Sequence, residues 1–332
     1  MKRREFITLV GGTVTGWPLA ARSLQLSVTK RIAIVHPNID VKAMTANSGN
    51  RLFKALFAEL ERFGYVEEKN LEVDRYSGEG HLDRFDDLAD AVVRKNPDVI
   101  FAIANVLALS FKRATTSIPI VILGGDVVIN GIAESIVRPG KNITGINAQE
   151  QLIYGKRMSL LKEAAPRLSN IGLMTLRTYV RPDGPLPRLA KDHGFSLTYV
   201  PLEGRPDEGQ ITQAFASMGR DKIDGLIVTD DPTILPHKQL IVELTAGQRI
   251  PTIYANRAYA EIGGLMTYVL DYAEAFRHVA NQINEILKGA KPGDIPFYQP
   301  NLFELVLNLK TAKALGLELP ATLLATATQV IE

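Results

Sequence analysis

Short apolar runs that alternate with longer amphipathic segments are the feature of this sequence that most restricts its fold. The first run, Ile32 to Val35, is aliphatic and is soon followed by a proline. The next segment places Leu52, Leu56 and Leu60 on one helix face, and Gly64 ends it. Strands that alternate with helices build right-handed βαβ units, whose parallel sheets are covered by helices on both faces. The sequence therefore predicts an α/β fold with doubly wound parallel sheets.

The alternation runs through the chain twice. The first series ends with a predicted short helix over 129–137 and a strand over 143–146, and the second begins with a helix over 152–165. A length of 332 residues agrees with two units, since domains commonly contain about 150 residues. Because no Gly/Ser-rich linker separates the two series, we expect the chain to cross directly between two Rossmann-like lobes that enclose a central ligand cleft.

A long helix predicted after Asp271 indicates that the lobes are discontinuous in sequence, because its apolar face needs a sheet to cover it. The pattern does not determine to which lobe residues 303–332 belong. The expected units are residues 30–147 with 271–300 as lobe 1 and residues 148–270 with 301–332 as lobe 2.

Residues 1–23 resemble an export signal. Basic residues at positions 2–4 precede a mostly apolar segment from Phe6 to Ala21, and we expect cleavage after Ser23. The adjacent arginines also resemble a twin-arginine signal, so the export route stays open. A basic tail or a membrane anchor is the alternative, but the apolar segment is shorter than the roughly 20 residues that span a bilayer. We therefore expect a mature protein in the periplasm.

Composition and motifs exclude several classes of protein. The 38 basic and 36 acidic residues provide no field suited to nucleic acid. The absence of cysteine excludes disulfides, thiolate nucleophiles and Cys-ligated metals, and the five histidines have no metal-ligand spacing. Phosphate-loop, dinucleotide and G-x-S-x-G motifs are also missing. We therefore expect no catalytic residues, no metal and no cofactor. Enzymes without these motifs exist, so the missing motifs disfavour an enzyme and do not exclude one.

Candidate ligand-binding residues lie where predicted strands end, since open α/β sheets bind ligands outside the carboxyl ends of their strands. Asp126 is equally suited to cap the next helix, whereas Asp231, which precedes a proline, leaves Asp230 free to face the cleft. The tyrosines are as consistent with core packing as with ligand contact. The candidates are His36, Asn38, Asn105, Asp126, Asp230, Tyr254, Asn256 and Tyr268.

Several segments together resemble the family of ABC-transporter substrate-binding proteins that includes tryptophan and tyrosine binders. The segments are residues 118–145, which contain Arg138-Pro139-Gly140-Lys141-Asn142, together with Asp230-Asp231-Pro232, Gly263 to Tyr268 and Ile286 to Pro292. The most specific segment is Phe303 to Leu317. The resemblance implies a type I periplasmic-binding fold, in which two lobes close on a small solute, and a membrane permease as partner. We expect a monomer that binds no nucleic acid. The alternative is a ligand-sensing module or an enzyme of the same fold class.

The resemblance does not identify the ligand, because residues 105–107 and 256–257 occupy positions at which the amino acid differs between members of the family. Our hypothesis is a small zwitterion such as an amino acid or a related metabolite. Its carboxylate would meet the helix N-terminus near Asn105, and its ammonium would meet Asp126 or Asp230. Tyr254 and Tyr268 would supply flat apolar contact.

Overall fold

The computed structural model describes residues 29–231 and 233–332, so the predicted export signal and its cleavage site lie outside the described residues. The described chain forms two sheets of mostly parallel strands with helices on their faces. This confirms the predicted α/β fold of two doubly wound lobes.

The first sheet consists of parallel strands only. Its strands are β1 (Lys30–His36), β2 (Leu71–Ser77), β3 (Val99–Ile103), β4 (Ile120–Gly124) and β5 (Ile143–Asn147). The helices between them are α1 (Arg51–Arg62), α2 (Phe85–Val93) and α3 (Asn105–Ala114). The strand order is β2-β1-β3-β4-β5. Every residue of β3, β4 and β5 is buried, because helices cover both faces of the sheet.

The second sheet is larger and contains one antiparallel pair. Its strands are β6 (Asn170–Leu176), β7 (Ser196–Leu202), β8 (Gly225–Val228), β9 (Thr252–Tyr254), β10 (Met266–Leu270), β11 (Phe303–Asn308) and β12 (Gln329–Ile331). The remaining helices are α4 (Glu150–Ala164), α5 (Pro185–Asp192), α6 (Glu208–Arg220), α7 (Lys238–Gly247), α8 (Ala258–Glu261), α9 (Tyr272–Leu287), α10 (Leu309–Leu315) and α11 (Ala321–Thr326). The strand order is β12-β11-β10-β9-β8-β6-β7, and β11 runs antiparallel to β10.

The helix predicted over residues 129–137 is wrong, since this segment forms turns. Asp126 and Gly131 adopt left-handed backbone conformations, with φ of 44° and 68°, which a right-handed helix does not accommodate. The apolar side chains of this segment do not all point to the core. Ile129 and Val137 are 69% and 68% exposed, whereas Ile132 and Ala133 are buried in the core of the first sheet. The helical spacing here therefore corresponds to a turn that buries only its middle residues.

The chain crosses between the sheets where β5 leads into α4 and where β10 leads into α9. Helix α9 packs on the first sheet, and its Phe276 ring meets the rings of Phe53 and Phe101 edge-on at centroid distances of 5.3 and 5.4 Å. The chain then returns, and β11 pairs with β10 in the second sheet. The division into lobes at the boundaries given above stays a prediction. Among the described residues, no helix is both long and apolar enough to cross a membrane.

Replacement of Phe276 by alanine should destabilise the protein by about 3–5 kcal/mol, because it removes a buried ring from the core between α9 and the first sheet. The free energy of unfolding in denaturant measures this change. The exposed neighbour Arg277 provides the control, since Arg277→Ala should change stability by less than about 0.5 kcal/mol. Equal stabilities of the two variants would contradict the role of Phe276.

Candidate functional site

The loops that follow the strands of the two sheets meet across a cleft. Gly80 lies in the loop after β2, and a Cβ atom at this position would lie 3.7 Å from side-chain atoms of both Arg205 and Thr233. Those two residues follow β7 and β8 of the second sheet. The carboxyl ends of strands from both lobes therefore face the same cleft, as expected for open α/β sheets.

Helix α4 presents three chemically different side chains to this cleft. Glu150, Tyr154 and Arg157 stand at positions i, i+4 and i+7, which share one helix face. The charges of Glu150 and Arg157 both act on Tyr272, at the start of α9. Since α4 begins directly after the crossing from the first sheet, its first turns stand at the junction of the lobes.

Arg157 is a buried cation without an ion-pair partner among the described residues. It is 7% exposed, and its Nε donates a hydrogen bond to the carbonyl oxygen of Tyr268 at 3.0 Å. Its guanidinium carbon lies 5.3 Å from the ring centroid of Tyr154. A buried charge is unfavourable unless an opposite charge or hydrogen bonds compensate it. The site is therefore suited to an anionic group.

Asp230 supplies negative charge beside Arg157. Its Oδ1 accepts a hydrogen bond from Nδ2 of Asn256 at 3.0 Å, and Asn256 is held in turn by the backbone N–H of Ala258. The carboxylate of Asp230 is exposed to water in the cleft, but protein groups on the cleft walls surround it and reduce its solvation. This desolvation raises the pKa of Asp230, whereas the bond from Asn256 and the charge of Arg157 act in the opposite direction. Asn256 thus positions a carboxylate within range of the charge of Arg157, although the two groups form no ion pair.

Glu150 is a second carboxylate in the cleft. Its side chain lies against Gly125, where a Cβ atom would approach Cγ of Glu150 to 2.3 Å, so this rotamer of Glu150 uses the space that a glycine leaves. Desolvation raises the pKa of Glu150, the negative charge of Asp126 adds to this increase, and Arg157 opposes it. The carboxylate of Asp126 accepts the backbone N–H of Gln151 at 3.1 Å. Asp126 therefore caps α4, and not the helix that was expected after it.

Tyrosine rings form neutral walls around these charges. Desolvation raises the pKa of Tyr179 to about 12, and the charges of Asp231 and Glu150 add to this increase. Desolvation likewise raises the pKa of Tyr154 and of Tyr272. All three hydroxyls consequently stay protonated at neutral pH, and their rings offer flat apolar surface with hydrogen-bond donors.

Two of the predicted site residues are used inside the protein. Asn105 donates its Nδ2 to the carbonyl oxygen of Gly125 at 2.9 Å and accepts the N–H of the same residue at 3.0 Å. Tyr254 is 1% exposed, stacks on Tyr259 at 4.4 Å and shares a hydrogen bond with Thr245. Tyr254 offers no free surface to a ligand, and the amide of the half-buried Asn105 is bonded to Gly125, so we leave both out of the proposed site.

The other predicted residues support the cleft. Nδ1 of His36 accepts the backbone N–H groups of Asn38 and Ile39 at 3.1 and 2.9 Å, which shapes the loop after β1. Oδ1 of Asn38 is buried and has no partner among the described residues. The ring of Tyr268 stacks on Phe303 at 5.3 Å, and its carbonyl group holds Arg157.

The sequence reasoning missed Glu150, Tyr154 and Arg157 because helix α4 was interpreted only through its apolar residues. The spacing of these three side chains was visible in the sequence, but nothing there showed which face of α4 met the cleft. Tyr272, at the start of α9, was interpreted as a residue of the apolar face of that helix, and no sequence signal singled out Tyr179 after β6.

The stability of the protein should depend on the protonation of His36. Burial lowers its pKa from about 6.5 to about 3, so the folded state binds fewer protons than the unfolded state below pH 6.5. Stability should fall by about 1.4 kcal/mol per pH unit as pH decreases from about 6.5 toward 3. The variant His36→Asn keeps an acceptor and should lose this dependence in denaturant unfolding at pH 7, 6 and 5. Exposed His81→Asn is the control, and an unchanged slope in His36→Asn would refute the assignment.

Comparison with known proteins agrees with this fold. A tyrosine-binding protein from Clostridioides difficile (strain R20291) is 25% identical over 86% of this chain and 79% of its own length. A conserved domain protein from Vibrio cholerae O1 biovar El Tor matches with a TM-score of 0.78 at 25% identity, covering 91% of this chain and 99% of that one. An ABC domain from Streptococcus pneumoniae in complex with L-Trp has a TM-score of 0.77 at 22% identity, covering 91% and 100%.

The family model "ABC transporter substrate binding protein" matches residues 41–331. Members of this family are binding proteins and not enzymes, in agreement with the missing catalytic motifs of the sequence. The match over most of the chain, on a fold whose cleft carries charged and aromatic side chains, shows that this chain belongs to the ABC transporter substrate-binding protein family.

Proposed function

We propose that this protein is the solute-binding component of an ABC importer and that its ligand is a free amino acid with an aromatic side chain. One observation carries the proposal: the buried guanidinium of Arg157, without an ion pair among the described residues, lies near the Asp230 carboxylate within walls of tyrosine. A cation and an anion side by side match the two charges of a zwitterion. Two similar proteins, named for tyrosine and for an L-Trp complex, support an aromatic ligand.

Arg157 would bind the carboxylate of the ligand. Its Nε is engaged by Tyr268, and the guanidinium still has donors for two parallel hydrogen bonds to a carboxylate. We propose this cation in place of the helix N-terminus near Asn105, because a buried guanidinium without an ion pair among the described residues carries a full positive charge.

Asp230 would bind the ammonium group of the ligand. Its Oδ1 accepts one bond from Asn256, and a carboxylate has capacity for further donors. The raised pKa of Asp230 follows first from desolvation, which an ammonium partner would offset by favouring the ionised form. The rings of Tyr154, Tyr179 and Tyr272 would contact the apolar part of the ligand.

Closure of the two lobes would bring these groups around the ligand. Loops of the two sheets approach each other at Gly80, where an added Cβ atom would lie 3.7 Å from side-chain atoms of Arg205 and Thr233. Arg51 of α1 and Glu304 of β11 also lie 4.0 Å apart across the lobes. These contacts are few and solvent-exposed in part, so they can separate when the cleft opens. The hinge would then be the segments that cross between the sheets.

Asp230→Asn should weaken ligand binding by about 2 kcal/mol or more, because the ammonium would lose its ionic partner while desolvated. Calorimetric titration with L-tyrosine, L-tryptophan and L-phenylalanine measures this loss. The control is Asp192→Asn at the exposed end of α5, where the loss of one negative charge should leave affinity within about twofold. If Asp230→Asn binds as tightly as the wild type, Asp230 is not the ammonium partner.

We further propose that the protein is exported, cleaved after Ser23 and delivers its ligand to a membrane permease as a monomer. Substrate-binding proteins of ABC transporters work outside the cytoplasmic membrane, and the basic and apolar residues of positions 1–23 support this location. The mature net charge of about −1 provides no surface suited to nucleic acid.

The protein recovered from the periplasmic fraction of the expressing cells should begin at Leu24. Intact-mass measurement of this fraction identifies the first residue. Replacement of Arg3 and Arg4 by lysine distinguishes the routes, since a twin-arginine signal should lose export and a general secretory signal should keep it. Full-length protein found only in the cytoplasm would contradict export.

A further inference from the structure

We propose that Glu150 determines ligand specificity by accepting a hydrogen bond from an O–H or N–H group on the ligand's aromatic ring. This inference rests on the proposed function, since it concerns the far end of the same ligand. It divides aromatic amino acids into those with a ring donor and those without one.

The geometry of α4 places the required groups in one line. Glu150, Tyr154 and Arg157 share a helix face, and the first and last Cα positions are separated along the axis by about 10 Å. A ligand whose carboxylate meets Arg157 would lie with its side chain along this face. Its ring would pass Tyr154, and the ring's far end would approach Glu150.

The carboxylate of Glu150 is available as an acceptor. None of the hydrogen bonds or ion pairs found among the described residues uses it, and its side chain packs against Gly125. An ionised carboxylate only accepts hydrogen bonds, so its natural partner on a ligand is an O–H, an N–H or a cation. A ligand ring without a donor would displace water from the Glu150 carboxylate without replacing the hydrogen bonds that this water makes.

The neighbours of Glu150 strengthen this requirement. Asp126, after β4, places a second negative charge beside it, and Arg157 on α4 is the cation that opposes the two. The other groups near its charge are the neutral hydroxyls of Tyr154, Tyr179 and Tyr272. Once Arg157 binds a ligand carboxylate, its positive charge stabilises the ionised form of Glu150 less. A hydrogen-bond donor on the ligand would then supply the missing stabilisation of the Glu150 carboxylate.

The test is a calorimetric panel of L-tyrosine, L-tryptophan and L-phenylalanine. The wild type should bind at least one of the two donor-bearing ligands about 10- to 100-fold more tightly than phenylalanine, as a hydrogen bond to a charged group implies. Glu150→Ala should reduce this preference to within about threefold, because the donor-bearing ligand loses its acceptor and phenylalanine no longer desolvates a charge. Glu150→Gln keeps the packing against Gly125 and should show an intermediate preference, because a neutral amide is a weaker acceptor.

Lys156→Ala, at an exposed position of the same helix, is the control and should keep the full preference. Melting temperatures of all variants identify any that do not fold, and Glu150→Gln then carries the test. The inference is overturned if the wild type binds phenylalanine as tightly as the other two, or if both Glu150 variants weaken all three equally. If the wild type binds none of the three, the proposed function fails together with the inference.

Discussion

Two backbone hydrogen bonds at the end of β5 join the segments that connect the lobes, and much of the structure depends on them. The N–H of Tyr298 donates to Gly145 at 2.9 Å, and the N–H of Asn147 donates to Tyr298 at 2.8 Å. Gly145 has a φ of 147°, and a Cβ atom there would lie 2.1 Å from the carbonyl oxygen of Ile122. Only glycine permits this approach. Because the outgoing and returning chains are bonded here, α4 begins at a defined place beside the cleft.

The electrostatics of the cleft follow from that placement. Arg157 is buried in the second lobe, while Glu150 and Asp126 meet at the junction and Asp230 comes from the end of β8. The carboxylates outnumber the guanidinium, and desolvation raises the pKa of each of the three. Such an arrangement is unfavourable by itself, and a zwitterion that brings one charge of each sign would relieve it. Binding proteins tolerate strain of this kind where their function requires it.

The sequence was a good guide to elements and a poor guide to side-chain directions. Strands β1, β3 and β4 were predictable because a strand covered on both faces is a continuous aliphatic run. The turns at residues 126–131 were not, because left-handed residues interrupt a segment whose spacing is helical. Asn105 and Tyr254 stand at strand ends as expected, but a side chain there can turn to the backbone or to the core as well as to the cleft. Periodicity does not distinguish these directions.

By itself, the sequence determined the α/β class, the two series of βα units, the absence of cysteine chemistry and the region in which ligand-contacting residues are sought. Local periodicity and turn chemistry are sufficient for these, since each depends on residues close together in the chain. Only the tertiary structure decided that Glu150, Arg157, Asp230 and Tyr272 share one cleft. They come from three separate parts of the chain, and their proximity follows from the crossings at β5 and β10 and from the packing of α9 on the first sheet. Contacts between distant segments are set by packing of the whole fold, which no local pattern encodes.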